Sequence, residues 1–209
     1  MNEIQNILFD LGNVLIDLDI PRTESMFKTL LKDEYDEVQA VLLRRNIFEQ
    51  FETGQISEET FIWAFQQAAR QNLDPRDIIR AWNGMLLGFP AHRFDFLEKL
   101  KKKYRLFVFS NTNETHLRWV YRHLKTQHGM TDFDVRFFEK TFYSHLIGHR
   151  KPEVAAFRHV LNDAGIAAEK TLFIDDNAEN IAGATAAGLR TIHHKIGDEV
   201  TRVMQQFLD

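Results

Sequence analysis

Two short apolar segments of the sequence end on aspartate. Residues 7–9 lead directly into Asp10, and residues 172–174 lead into Asp175 and Asp176. The carboxyl ends of buried parallel strands hold the reactive side chains of α/β enzymes, so these carboxylates are candidates for chemistry. Three carboxylates that meet at one edge of a sheet repel one another, and a bound cation removes that repulsion. Oxygen ligands of this kind predict Mg²⁺.

Groups suited to a phosphate follow the same pattern. The apolar residues 106–109 lead into Ser110 and Asn111, and a lone Lys151 precedes Pro152. One strand-end aspartate is usually a helix cap or turn former, but four such junctions on separate segments argue against coincidence. Asp10 is the predicted nucleophile, and the Lys151 ammonium would neutralise developing charge. The predicted phosphate-binding residues are Leu11, Gly12, Ser110, Asn111 and Lys151.

Composition limits the possible partners and locations. The 209 residues contain no cysteine, which excludes disulfides, thiol nucleophiles and thiolate metal sites. A formal charge of −4 gives no overall attraction to nucleic acid, and the basic run at residues 99–105 is typical of a helix end. The chain has neither a membrane-spanning apolar run nor the basic start of a signal peptide. We therefore predict a cytoplasmic protein without nucleic-acid or membrane partners; its oligomeric state is not indicated.

The apolar segments that position these residues alternate with helical patterns, which predicts a doubly wound parallel α/β sheet. The helical patterns between the first two strands predict an α-helical insertion at residues 17–93, over the carboxyl edge of the sheet. The core is then formed by residues 1–16 and 94–209. Strands are predicted near residues 6–9, 105–109, 140–144, 171–174 and 190–193. Insertion helices are predicted at residues 22–31, 36–48, 57–71 and 74–86. A final amphipathic helix is predicted at residues 198–208.

Four motifs in this order resemble the haloacid dehalogenase (HAD) superfamily over essentially the whole chain. They are Phe9-Asp10-Leu11-Gly12-Asn13-Val14, Ser110-Asn111-Thr112, Arg150-Lys151-Pro152 and Phe173-Ile174-Asp175-Asp176. The resemblance implies a Rossmann-like core, a helical cap inserted after the first strand, and Mg²⁺-dependent phosphoryl transfer. It also implies that Asp10, the Gly12 carbonyl and Asp176 bind Mg²⁺, while Asp175 acts through water. Finer features are similar to a bacterial subgroup that includes phosphatases of α-D-glucose 1-phosphate.

Two positions depart from the family pattern. Most phosphatases of this superfamily have a second aspartate two positions after the nucleophile, as general acid and base, whereas this chain has Gly12. Asn180 stands where many relatives have an acidic residue. Three accounts of Gly12 are open: Asp17, Asp19 or His116 acts through a water, the substrate has a leaving oxygen that needs little help, or the protein binds phosphate esters without hydrolysing them. An anomeric oxygen leaves readily, which favours a sugar 1-phosphate.

Specificity is expected to come from the insertion, which would close over the sheet and contact the substrate beyond its phosphate. The candidate substrate-binding residues are Asn113, His116, Arg44, Arg45 and Glu52. The predicted function is hydrolysis of a small phosphorylated metabolite, most simply a sugar phosphate, through an aspartyl-phosphate on Asp10. The alternatives are a phosphotransferase or mutase and a non-catalytic phosphate-ester-binding protein. A 2-haloacid dehalogenase is disfavoured, because it has no use for the Asp175-Asp176 pair.

Overall fold

The computed structural model describes residues 4–208. Residues 1–3, on which the predicted absence of a signal peptide partly rests, and residue 209 of the predicted core lie outside the described residues. Seven strands are present in the described part: β1 (Asn6–Phe9), β2 (Asp17–Leu18), β3 (Leu86–Gly88), β4 (Arg105–Ser110), β5 (Lys140–Tyr143), β6 (Thr171–Asp175) and β7 (Arg190–His193). Five of them form a parallel sheet in the order β5-β4-β1-β6-β7. The predicted Rossmann-like α/β fold is confirmed.

Helices surround the sheet and fill the long segment between β1 and β4. The helices are α1 (Ile20–Leu31), α2 (Tyr35–Arg44), α3 (Ile47–Glu52), α4 (Glu58–Ala68), α5 (Pro75–Trp82), α6 (His92–Leu100), α7 (Glu114–His128), α8 (Phe133–Phe137), α9 (Ser144–Ile147), α10 (Val154–Ala164), α11 (Ala178–Ala186) and α12 (Val200–Val203). Short 3₁₀ turns occur at Lys32–Glu34, Asn83–Met85, Ala168–Lys170 and Gln205–Phe207. Among the described residues, no helix is long and apolar enough to cross a membrane.

The central strand β1 is buried on both faces. Ile7 and Phe9 belong to an apolar cluster that includes residues of α6 and α7, whereas Leu8 belongs to a second cluster that includes residues of α10 and α11. Successive side chains of a strand point to opposite faces, so this alternation gives the sheet a helical layer on each side. The two layers leave the carboxyl ends of β4, β1 and β6 side by side.

The helical segment α1–α5 has an apolar core of its own, which includes Phe27, Leu42, Phe61 and Phe65. The antiparallel pair β2–β3 joins the points where the chain leaves the sheet and returns to it. The helices between β1 and β4 thus share an apolar cluster of their own, and a short two-stranded ribbon lies where the segment leaves and rejoins the sheet.

Four predicted helices are shorter than their apolar patterns. The helix predicted at residues 57–71 is α4, which ends at Ala68. The pattern at residues 36–48 is interrupted at Asn46, whose φ of 53° is left-handed, so that α2 ends and α3 begins. The pattern at residues 74–86 stops at Trp82, after which Leu86 enters β3. The last predicted helix, at residues 198–208, consists of α12 and a 3₁₀ turn. Apolar spacing alone does not reveal such a backbone break.

Candidate active site

The register of the sheet brings three predicted site residues to one edge. Phe9 pairs with Val108 on one side and with Ile174 on the other. Asp10 follows Phe9, and its backbone N–H donates to the Ile174 carbonyl at 2.9 Å. Ser110 and Asp175 are the last residues of β4 and β6. Ordinary parallel pairing therefore places the predicted nucleophile between its predicted partners.

Lys151 lies at the centre of this edge. Its ammonium contacts Asp10 Oδ1 at 2.8 Å and Asp175 Oδ2 at 2.6 Å, and the residue is 1% exposed. The rings of Phe109 and Phe173 lie 5.5 and 5.4 Å from the same nitrogen. The carboxylates of Asp10 and Asp175 thus stabilise the charged form of the buried Lys151 ammonium.

Asn111 positions the lysine loop. Its side-chain Nδ2 donates to the Lys151 carbonyl at 2.9 Å, and its Oδ1 accepts from the Lys151 N–H at 2.9 Å. Asn111 and Ser110 both line a cavity of about 310 Å³ at the sheet edge. The predicted phosphate ligand Asn111 therefore has its amide engaged by the backbone of Lys151, while Ser110 lies at the cavity wall.

The electrostatics of Asp10 follow from its surroundings. Burial raises the pKa of the Asp10 carboxyl to about 7, Asp175 adds to the rise, and Lys151 opposes it. Burial works against the charge of Lys151, but Asp10 and Asp175 outweigh it and raise the pKa of the lysine. One ammonium thus only partly compensates the clustered carboxylates, and a further cation would complete the compensation.

The donor set fits a hard divalent cation. Oxygens of Asp10, Asp175 and Asp176 lie within 4.8 Å of one another, and Gly12 lines the adjoining cavity. Both Asp175 oxygens already accept hydrogen bonds: Oδ2 from Lys151 at 2.6 Å and Oδ1 from the Asn177 N–H at 2.8 Å. Asp10 and Asp176 are the more accessible ligands, and their oxygen chemistry suits Mg²⁺.

Asn13 is a site residue to which the sequence prediction assigned no role. Its Nδ2 donates to Asp176 Oδ2 at 2.8 Å, and its Oδ1 accepts from the Leu18 N–H at 3.2 Å. The backbone at Asn13 is left-handed, with φ of 52°. Asparagine tolerates this conformation better than most residues, so an asparagine after Gly12 was the available signal. Asn13 links the acidic cluster to β2.

Asn180 also belongs to the cluster. Its Nδ2 donates to both oxygens of Asp175, at 3.1 and 3.0 Å. A carboxylate at this position would face Asp175 with like charge. The amide instead donates to Asp175, which gives the departure from the family pattern a physical reason.

The insertion contributes part of the cavity wall. Ile20, Glu52 and Trp82 line it, and Glu52 contacts Arg150 at 3.0 Å. Burial raises the pKa of Glu52 although Arg150 opposes the rise. The predicted substrate residues Arg44 and Arg45 do not line the cavity but lie exposed where α2 ends. The buried face of α2 is formed by Val38 and Leu42, which turns the two arginines outward.

His116 lines the cavity, whereas Asn113 is not among the lining residues. Asn113 caps α7, and its Oδ1 accepts from the His116 N–H at 3.0 Å. His116 Nε2 lies 3.2 Å from the Trp82 carbonyl, and only a protonated Nε2 can donate to that oxygen. Burial lowers the pKa of His116 to about 4, so the imidazole is neutral. Both residues support the wall of the site through hydrogen bonds.

The aspartates considered as replacements for the missing acid lie elsewhere. Asp17 pairs with Arg93 at 2.7 Å, and Asp19 caps α1 by accepting from the Arg22 N–H at 3.1 Å. Neither lines the cavity. Of the three groups weighed from the sequence, His116 alone faces this space.

A parallel α/β sheet with an acidic cluster and a buried lysine at its carboxyl edge defines a Rossmann-like enzyme of the phosphoryl-transfer type. The chain belongs to the haloacid dehalogenase-like hydrolase family, whose model matches residues 4–188. The predicted superfamily is thus confirmed.

Several relatives align over nearly the whole chain. A D-ribitol-5-phosphate phosphatase from Bacteroides thetaiotaomicron is 26% identical over 93% of this chain and 93% of its own. A sesquiterpene phosphatase from Aspergillus oryzae is 28% identical over 89% of this chain and 87% of its own. A HAD family enzyme from B. thetaiotaomicron superposes with a TM-score of 0.88, at 33% identity, over 97% of this chain and 98% of that one. The wild-type form of that enzyme in complex with magnesium and inorganic phosphate superposes with a TM-score of 0.81, at 34% identity, over 96% and 98%.

Proposed function

We propose that this protein is a Mg²⁺-dependent hydrolase of small phosphate monoesters with Asp10 as nucleophile. The observation that carries the proposal is the contact of Lys151 with Asp10 and Asp175, with Asp176 in the same cluster. The two relatives named as phosphatases and the related structure with magnesium and phosphate support it.

In the proposed reaction, an Asp10 oxygen attacks phosphorus and the bond to the ester oxygen breaks. Ser110 and the N–H groups of Leu11 and Gly12 bind phosphoryl oxygens, while Lys151 neutralises the charge that develops on them. Mg²⁺ bound by Asp10, the Gly12 carbonyl and Asp176, with Asp175 acting through water, would offset the negative charge of the carboxylates and the phosphate. Water then hydrolyses the aspartyl-phosphate, releasing phosphate and restoring Asp10.

The departing oxygen must gain a proton, and Gly12 provides no acid. His116 is neutral, and its Nε2–H is directed to the Trp82 carbonyl. Glu52 of the insertion also lines the cavity and carries a titratable carboxyl group, but that group is paired with Arg150. We propose that esters with a leaving oxygen of low basicity react fastest, because they depend least on a protein acid.

We also propose that residues 17–93 act as a cap. The separate apolar core of the insertion and its attachment through β2–β3 support this role. Arg150 of the core contacts Glu49 at 3.4 Å and Glu52, which lines the cavity, at 3.0 Å. These contacts would hold the cap over the phosphate and exclude water.

A sugar phosphate remains a candidate substrate, including the α-D-glucose 1-phosphate suggested by the motifs. The name of the D-ribitol-5-phosphate phosphatase supports a polyhydroxylated substrate. The name of the sesquiterpene phosphatase supports a phosphate ester with an apolar group.

Phosphate release from p-nitrophenyl phosphate tests the reaction. We expect Mg²⁺-dependent turnover by the wild type and none by Asp10→Asn, while the exposed control Asp95→Asn keeps full activity. Binding of phosphate without release would indicate the non-catalytic alternative. Turnover that requires a sugar acceptor would indicate a phosphotransferase or mutase.

A further inference from the structure

The helical insertion contains a second cavity, of about 250 Å³. Its inner wall is formed by buried apolar side chains of α1, α2 and α4, among them Phe27, Val38, Leu42 and Phe65. Glu24, Tyr35 and Gln39 also line it; Glu24 is exposed, and Tyr35 and Gln39 are partly exposed. A space of this size among aromatic and aliphatic groups suits an apolar molecule rather than water.

This cavity adjoins the candidate active site. Ile20, Trp82 and Met85 line both spaces. The Trp82 indole stacks on His116, with ring centroids 4.9 Å apart, and on Phe48, with centroids 5.6 Å apart. Trp82 therefore lies at the junction between the polar site and the apolar cavity.

The wall of the active-site cavity has polar side chains from the core and mainly apolar side chains from the insertion. Asp10, Ser110 and Lys151 lie on the core side, whereas Ile20, Trp82 and Met85 face them from the insertion side. The polar groups next to these apolar residues already have partners. Glu52 contacts Arg150 at 3.0 Å, His116 Nε2 lies 3.2 Å from the Trp82 carbonyl, and the Thr23 hydroxyl donates to that carbonyl at 3.3 Å.

A polyhydroxylated group placed against Ile20, Trp82 and Met85 would give up hydrogen bonds to water that these side chains do not replace, which is unfavourable. An apolar group would gain by leaving water. The chemistry of the wall therefore separates the two kinds of leaving group that the names of the relatives suggest.

We infer that the substrate is a phosphate monoester with an apolar organic group, seated past Trp82 in the cavity of the insertion while its phosphate lies between Asp10 and Lys151. The inference rests on the proposed function and narrows its substrate class. The chemical step is unchanged: the Asp10–phosphorus bond forms, the bond between phosphorus and the ester oxygen breaks, and the leaving oxygen takes its proton from water, since Gly12 provides no acid, and departs as an alcohol. The product is then a small apolar alcohol.

A series of n-alkyl phosphates from ethyl to octyl tests the inference through kcat/KM. We expect kcat/KM to rise roughly fourfold for each added methylene until the cavity is full. We also expect hexyl phosphate to exceed glucose 6-phosphate and ribitol 5-phosphate in kcat/KM, because all three lose a primary alcohol and differ mainly in the polarity of the organic group. A flat alkyl series, or faster turnover of the sugar and polyol phosphates, overturns the inference.

Two neighbouring leucines of α2 provide matched variants. Leu42→Phe enlarges a buried side chain of the cavity wall, whereas Leu43→Phe makes the same change at a position that is 59% exposed. Leu42→Phe should shift the optimum of kcat/KM to shorter alkyl chains, because the larger ring takes up space in the cavity. Leu43→Phe should leave the whole profile unchanged. An unchanged optimum in a folded Leu42→Phe protein contradicts the inference.

Binding to the Asp10→Asn protein gives a second measurement that needs no turnover. Hexyl phosphate should change the fluorescence of Trp82, whereas glucose 1-phosphate at the same concentration should not, and Trp82→Phe should abolish the change. Equal responses to both ligands count against the apolar site. If wild type hydrolyses neither p-nitrophenyl phosphate nor any member of the series, the proposed function itself fails; turnover without chain-length preference removes the inference alone.

Discussion

Lys151 Nζ lies 2.6 Å from Asp175 Oδ2, and both residues are essentially buried. The same nitrogen contacts Asp10 at 2.8 Å. This lysine therefore joins the ends of two adjacent strands and sets the charge of the site, so its removal should affect stability and turnover together.

Lys151→Met should lower the free energy of unfolding by about 3–5 kcal/mol, because it leaves buried carboxylates without their cation. It should also raise the pKa of Asp10 further and reduce kcat/KM by about 10²–10³-fold. Urea unfolding and kinetics provide the measurements. The control is Lys140→Met, which removes an exposed pair with Asp163 and should cost less than about 1 kcal/mol. Equal effects of the two substitutions would contradict this role for Lys151.

Gly12→Asp should raise kcat for alkyl phosphates by about 10²-fold, since it restores a carboxyl group at the position of the missing acid. Its effect on p-nitrophenyl phosphate should be smaller, because that leaving group needs little protonation. A Cβ at Gly12 would lie 2.7 Å from the Leu18 Cδ1 atom, so the Leu18 side chain must shift.

Gly12→Ala is the matched control, as it meets the same contact without the carboxyl group. A similar gain in kcat from both substitutions would show that the gain comes from packing against Leu18 and not from the carboxyl group. Loss of activity in both would show that Leu18 cannot shift without disturbing the site.

Asn180→Asp should destabilise the protein without Mg²⁺ by about 1–3 kcal/mol, because it replaces an amide that donates to Asp175 with a like charge. Mg²⁺ should restore part of the loss and shift the thermal midpoint of the variant more than that of wild type. Asn162→Asp, at an exposed position on α10, serves as the control. An unchanged midpoint without Mg²⁺ would argue against the contribution of Asn180.

We expect the free energy of unfolding to depend on pH through His116. Burial lowers its pKa from 6.5 to about 4, so the unfolded chain binds the proton more readily than the folded one. The contribution of the neutral His116 to the free energy of unfolding is therefore fully present above pH 6.5. It is lost as the pH falls towards 4, by about 3 kcal/mol in total.

Urea unfolding between pH 4 and 8 measures this effect. His116→Gln should flatten the acid side of the profile, whereas His159→Gln, which removes a histidine of α10, serves as the control. Parallel profiles for wild type and His116→Gln would contradict the neutral, buried state of His116.

Much of this fold was predictable because its strands are buried on both faces and end on polar residues. Asp10, Ser110 and Asp175 stand where the apolar segments end, and parallel pairing brings such ends together irrespective of the intervening chain. The site edge therefore follows from local pattern and general sheet geometry.

The remaining features depend on side-chain geometry that apolar spacing does not encode. Arg44 and Arg45 turn outward because Leu42 takes the buried face of α2. Asn46 breaks the helical pattern with a left-handed backbone. The role of Asn13 depends on a hydrogen bond to Asp176, which is far away in the chain, and the role of Asn180 depends on how its amide is oriented towards both oxygens of Asp175.

Asn13 holds Asp176 with one end of its amide and the start of the insertion, at Leu18, with the other. A movement of the insertion about the β2–β3 ribbon would therefore displace Asp176, a proposed cation ligand. Departure of the alcohol and release of inorganic phosphate would then be coupled through the side-chain amide of Asn13.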